Sequence, residues 1–165
     1  MNYPENYIFK LITEDKDFRK ARNLFIEYAS SLDFDLHFQN FETELKEIDI
    51  QYNKPDGGLI LIIDASSGEE VGCVGIRKFE EKVAELKRMF IKESHRNKAL
   101  GRELLEQAIK LSKDLGYRKI RLDTLDTMKS AIALYEKSGF KLTGAYRFNP
   151  FDNVRFYEFQ IPTDD

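Results

Sequence analysis

A single cysteine, Cys73, stands among 165 residues. One thiol excludes an intramolecular disulfide and a cysteine-built zinc site. Proline numbers 4 and glycine 9, too few for a collagenous or linker-like chain. The longest apolar run, Leu59 to Ile63, is far shorter than the ~20 residues a membrane span needs. Positive charge is in deficit, with 26 Lys and Arg against 29 Asp and Glu and a net charge of -3. General binding of nucleic acid relies on Lys and Arg facing phosphates, so neither nucleic acid nor membrane is an expected partner. The opening MNYPENYIFK has acid and proline where a secretory leader has a basic start and an apolar run. The expected compartment is therefore the cytoplasm.

What is present is an ordinary globular composition, 42% hydrophobic and 33% charged. The length fits one domain, 1–165, large enough to bury roughly 70% of its unfolded surface. The helical spacing of Phe18, Ala21, Phe25 and Tyr28 predicts a helix over about 17–30, after an opening strand over 8–12. Phe41, Leu45 and Ile48 predict a second over about 38–48. Strands follow over 59–64, 71–79 and 83–91, the last two forming a hairpin. Leu100, Leu104, Ala108, Leu111 and Leu115 line one stripe of a strongly amphipathic helix that stops at Gly116. A strand over 119–123, a helix over about 127–137 and closing strands over 141–143 and 154–161 complete the chain. Hairpins mixed with helical crossovers imply a mixed α/β (α+β) fold with a partly antiparallel sheet of about seven strands and about four helices.

The segment Arg96-Asn97-Lys98-Ala99-Leu100-Gly101-Arg102 lies between a strand end and a helix start. A helix N-terminus offers unpaired N–H groups and a positive dipole end, and small residues let phosphate oxygens approach. Neither a Gly-Lys-Ser/Thr phosphate loop nor the dinucleotide glycine spacing is present. Arg96-x-x-Ala99-x-Gly101 resembles the Gln/Arg-x-x-Gly-x-Gly/Ala loop of the GNAT family of acyl-CoA-dependent N-acetyltransferases. Glu85 to Ile91 is similar to that family's fourth strand, and Ala131-Ile132-Ala133-Leu134-Tyr135-Glu136-Lys137-Ser138-Gly139-Phe140 resembles its A-x-x-LYEKxGF signature. Two positions depart from the pattern. Ala99 replaces the first loop glycine, which suits a backbone without positive φ. Met128 stands where the family often has Asn.

The resemblance implies acetyl transfer from acetyl-CoA, as cosubstrate, to a primary amine by direct transfer in a ternary complex. It places the pantetheine arm along Met89, Phe90 and Ile91, and the pyrophosphate on Arg96, Asn97, Lys98, Ala99, Leu100, Gly101 and Arg102. It puts Tyr135 near the sulfur, as proton donor to the leaving thiolate. No metal is expected. Glu85 is the candidate base, read as sharing a strand face with Lys87, Met89 and Ile91, with Glu80 and Asp123 as alternatives. A strand-surface glutamate paired with Arg77 or Lys87 is the competing reading. His95 reads as a solvated loop residue or a phosphate contact, and His37 with Asp33 and Asp35 as part of a lid rather than a metal site. Cys73 is expected in the core, which leaves no nucleophile for a ping-pong route.

The acceptor is a small-molecule amine or a peptide or protein amine. Acid at Asp33 and Asp35, with Gln39, suits a cation, whereas Arg147 or Arg155 suits a carboxylate. A homodimer is compatible with the sequence. The rival functions are a non-catalytic acetyl-CoA-binding sensor or scaffold, and a nucleic-acid patch at Arg96, Lys98, Arg102, Arg118 and Lys119.

Overall fold

A computed structural model of the chain describes residues 6–32, 34–36, 40–96 and 99–164. Its elements run β1 (Tyr7–Leu11), α1 (Asp15–Ser30), α2 (Phe41–Lys46), α3 (Ile48–Gln51), β2 (Gly58–Asp64), β3 (Glu70–Glu80), β4 (Val83–Ile91), α4 (Leu100–Asp114), β5 (Lys119–Leu125), α5 (Lys129–Lys137), β6 (Lys141–Thr143) and β7 (Val154–Gln160). One sheet joins all seven strands in the order β1-β2-β3-β4-β5-β7-β6. Every neighbouring pair is antiparallel except β4 with β5. The parallel pair is the one joined through a helix, α4, as a crossover requires. The mixed sheet agrees with the sequence, with five helices in place of about four among the described residues.

The two sheet faces are covered by different helices. Phe18, Ala21, Leu24 and Phe25 of α1 close over Leu59, Leu61, Cys73 and Phe90 on one face. Leu100, Leu104, Leu105 and Ala108 of α4 close over Ile60, Ile62, Ile76 and Leu86 on the other. Strand residues alternate between the two cores because successive side chains point to opposite faces. Cys73 is fully buried, its thiol donates to the Arg88 carbonyl at 3.3 Å, and burial pushes its pKa far up.

The helix expected over 38–48 is two short helices instead, and its first residues, with Asp33 and His37, lie outside the described residues. Glu47, at φ -105 and ψ 18, breaks the run. The break lets Glu44 and Tyr52 point into the protein together, where the Tyr52 hydroxyl donates to Glu44 at 2.8 Å. Gly75 makes room for the Tyr52 ring, since a Cβ there would lie 2.5 Å from it. At the other end of the chain, α5 begins at Lys129 rather than near 127, because β5 runs on to Leu125 and a tight turn follows.

The feature that shapes the site is a bulge in β4. Cys73 pairs with Phe90 and Gly75 with Lys87, so Val74 alone faces Arg88 and Met89. Arg88 takes up the extra residue at φ 57. A bulge shifts the side-chain alternation by one. Glu85 and Lys87 therefore lie on the α1 face with Phe90, whereas Met89 and Ile91 turn to the α4 face. The even spacing that grouped Glu85 with Met89 and Ile91 is overturned here, since period-two counting fails across an inserted residue.

Candidate active site

β4 and β5 pair only at Val83–Lys119, Ala84–Ile120 and Glu85–Arg121. β5 stays paired to β7 along its whole length, so it is β4 that parts from it beyond Glu85. Leu86 to Met89 on one side and Leu122 to Leu125 on the other then line a chamber of about 70 Å³, which Tyr135 also faces. A wider groove of about 1240 Å³ continues from it past Phe90, Lys92 and Arg96, sharing Phe34, Met128 and Phe151 with the chamber. A third space of about 440 Å³ lies beside Glu85, between Gln51, Arg77 and Arg147. The segment from Tyr146 to Asn153 walls all three: Arg147 borders the last, Asn149 the chamber and Asn153 the wide groove. Asn149 donates to Asp123 at 3.3 Å, which fastens this wall to β5.

Lys87 and Tyr135 are the titratable groups of most consequence in the chamber. Lys87 is 3% exposed. Burial, helped by the neighbouring Arg88 charge, pushes its pKa down to about 7, against the opposing pull of Glu85 and Asp123. Near neutral pH its amine is available as a proton acceptor. Tyr135 is held by Phe140 and Tyr157, with ring centroids at 5.7 and 6.5 Å. Burial, with Tyr28 and Asp123 beside it, raises its pKa well above the usual value, so its phenol keeps its proton. Pattern reading of the sequence missed Lys87 as a site residue. The only available signal was a lysine inside a strand buried on both faces, where charged residues are rarely found without a task or a partner.

Glu85 lies on the opposite face of β4 from Met89 and Ile91. It is 1% exposed and borders the space on the α1 side. Arg77 Nε donates to its Oε1 at 3.0 Å, across the register pair of the hairpin. Arg147 reaches its Oε2 at 2.6 Å, and the Tyr146 hydroxyl donates to the same oxygen at 3.2 Å. Beneath the chamber a second buried ion pair binds the bulge to α2. Arg88 meets both Glu44 oxygens, at 2.7 and 3.0 Å. Burial alone would raise the Glu44 pKa, but the Arg88 partner outweighs it and the carboxyl sits below its usual value.

At the start of α4, Ala99 adopts φ 61, so the alanine does occupy a left-handed position that the family pattern gives to glycine. No side chain among the described residues caps this helix. The N–H groups of Leu100, Gly101 and Arg102 precede the bond that Glu103 makes to Ala99, the first of the helix among the described residues. A Cβ on Gly101 would meet Leu134 at 3.3 Å and Ile91 at 3.7 Å. Its smallness thus serves the approach of α4 to α5 and β4. Arg96 borders the wide groove, with Nε on the Ile91 carbonyl at 2.9 Å. Arg102 lies on the outer side of the helix beside Glu106. Asn97 and Lys98 fall outside the described residues. His95 is tied to β1 by a 2.7 Å hydrogen bond with the Tyr7 hydroxyl rather than being free in solvent. Arg155 pairs with Asp126 at 3.3 Å, away from the arginines around Glu85.

A mixed sheet parted between its fourth and fifth strands, with a capless helix start at the mouth of the opening, is the arrangement of an acyl-CoA N-acyltransferase. The profile of the acetyltransferase (GNAT) family matches residues 19–140, and the chain belongs to that family. It is 33% identical to an uncharacterized N-acetyltransferase of Schizosaccharomyces pombe over 98% of this chain and 99% of that protein. A GNAT-family acetyltransferase of Staphylococcus aureus superposes with a TM-score of 0.75 at 23% identity, covering 94% of this chain and all 100% of the other. A proposed streptothricin acetyltransferase of Bacillus anthracis, solved with acetyl coenzyme A, superposes with a TM-score of 0.58 at 22% identity, over 67% of this chain and 65% of that one.

Proposed function

We propose that residues 1–165 act as one domain that moves the acetyl group of acetyl-CoA to a primary amine within a ternary complex. The observation that carries this reading is a chamber between parted parallel strands that opens into a wide groove, with a further space next along β4 beside Glu85. Two substrates can then meet without either having to leave first. The residues fit the cofactor. Among the described residues, the N–H groups at the start of α4 carry no side-chain cap, Arg96 and Lys92 border the wide groove, and the β4 backbone at Met89, Phe90 and Ile91 has no β5 partner. Anions favour such a helix start, and an extended arm can pair with a free strand edge. That acetyl-CoA is bound in the Bacillus anthracis protein supports the same use here.

Acetyl-CoA supplies an activated carbonyl as a thioester. The chain's residues supply the rest. Lys87 takes the proton of the attacking amine, since its own amine is neutral in part near pH 7. Tyr135 gives a proton to the departing sulfur. A backbone N–H of β4 polarises the carbonyl oxygen. Glu85 receives a different part from the base expected of it: with its oxygens held by Arg77, Arg147 and Tyr146, it anchors the arginines beside the acceptor approach.

Titration calorimetry with acetyl-CoA, dephospho-CoA and pantetheine, followed by acetyl transfer to an amine panel, tests the reading. Binding that depends on the phosphates, transfer by the wild type and a ~100-fold loss in Tyr135→Phe are expected. Phosphate-dependent binding without transfer to any amine would assign a sensor instead. A folded wild type that binds no acetyl-CoA would end the enzyme reading.

A further inference from the structure

The space beside Glu85 has more cation than its carboxylates neutralise. Asp56 and Glu85 face Arg77, Lys78 and Arg147, which leaves one positive charge over. The two arginines are mostly buried, with side chains 17% and 22% exposed. Charges so placed are weakly screened and act strongly on a ligand. Arg77 spends Nε on Glu85 and one terminal nitrogen on Gln51 at 2.7 Å. Arg147 spends one terminal nitrogen on Glu85, and its buried Nε meets no hydrogen-bond partner among the described residues. A buried donor without an acceptor is costly to a folded protein and calls for an explanation. A planar guanidinium pair presents donors that match a carboxylate in two-point geometry.

The place is also right. Glu85 and Lys87 lie on one face of β4, two residues and so about 7 Å apart. An anion at the arginines therefore lies one side-chain step from the chamber. The wall from Tyr146 to Asn153 runs unbroken from one to the other.

We propose that Arg77 and Arg147, held by Glu85, bind a carboxylate carried by the acceptor, so that the acceptor is an amino acid or a short peptide with a free carboxylate. This rests on the acetyltransferase reading above. It disfavours a polyamine, which would meet excess cation. Arg155, spent on Asp126 elsewhere, has no part in it.

Matched ligand pairs test the proposal on the full chain: amino acids against their amides, and ω-amino acids against alkylamines of equal length. Each pair is titrated by calorimetry with and without acetyl-CoA, and each is assayed for acetylation. The carboxylate member is expected to win by roughly 10- to 100-fold in Kd or kcat/KM. Arg147→Met is expected to erase that preference and leave acetyl-CoA affinity unchanged, with Arg147→Lys intermediate. Equal or better use of amides and alkylamines overturns the proposal, as does a wild type that binds no carboxylate ligand. The wild-type comparison stands even if the variants fail to fold. Failure of the acetyltransferase reading looks different: carboxylate binding would persist while acetyl-CoA binding or transfer was absent.

Discussion

The two stretches of β4 share one strand and have opposite surroundings. From Val83 to Glu85 the strand is hydrogen-bonded on both sides, to β3 and β5. From Arg88 to Ile91 it keeps β3 but has lost β5, and a chamber opens in its place. The first stretch is ordinary sheet interior. The second is a strand edge without a β5 partner among the described residues, and an edge held inside a protein calls for something else to pair with it. The bulge at Arg88 divides the two, and the Arg88–Glu44 pair holds the bulge in position. A site can thus be cut into a stable sheet by one inserted residue and one buried ion pair.

Breaking that division should have the largest effect. Glu44→Ala leaves the Arg88 guanidinium buried without its carboxylate and the Tyr52 hydroxyl without its acceptor. A loss of about 3–5 kcal/mol is expected in urea unfolding, from the cost of an uncompensated buried charge. Arg88→Met with Glu44→Met should recover most of it, because both charges then leave together.

Lys87 stands at the boundary itself, and Lys87→Met should sharpen the contrast between stability and chemistry. Transfer is expected to fall ~100-fold or more, while acetyl-CoA affinity is kept. In the wild type, kcat/KM should rise with pH through about 7, the value to which Lys87 is pushed down. That limb should vanish in the variant. Stability should rise with pH as well, over a higher range. Below pH 7 the lysine is charged in both folded and unfolded chains and its full burial cost applies. As pH rises from about 7 toward the ordinary lysine value of 10.5, only the unfolded chain still holds the proton, so stability climbs. Lys87→Met should flatten this climb and be the more stable protein at pH 6, which thermal unfolding across pH reads directly.

The remaining contrasts are smaller and lie at the mouth of the opening. Arg96→Ala should weaken acetyl-CoA binding by about tenfold, more at low salt than at high, since the side chain is exposed and screened. Ala99→Gly should stabilise the fold by about 1 kcal/mol, because a left-handed alanine is strained and glycine is not. A destabilised Ala99→Gly would mean that the methyl group packs against something it needs.

Much of this site was legible in the residues. The loop from Arg96 to Arg102 and the signature around Tyr135 occupy short continuous segments, so their pattern survives without knowledge of the rest. Tyr135 faces the chamber and Arg96 the wide groove. Glu85 was harder. Its pairing with Arg77 across the hairpin was among the readings, but Tyr146 and Arg147 come from a distant part of the chain and their contact with it depends on tertiary packing. Lys87 was missed for a related reason: its depressed pKa comes from burial and from Arg88, and burial is a property of packing. Gly101 was recognised for the room it leaves a phosphate, but its second use was hidden, because the Leu134 side chain that it accommodates belongs to another helix.

By itself, then, the sequence determined the periodicities, the turns and the family pattern, and with them the element order and the place of the loop before α4. These depend on contacts between residues close in the chain. The tertiary structure alone decided where β4 bulges, which face Glu85 and Lys87 share and which charges meet around them. Those outcomes depend on pairing register and on burial, which arise only when strands far apart in the chain are laid side by side.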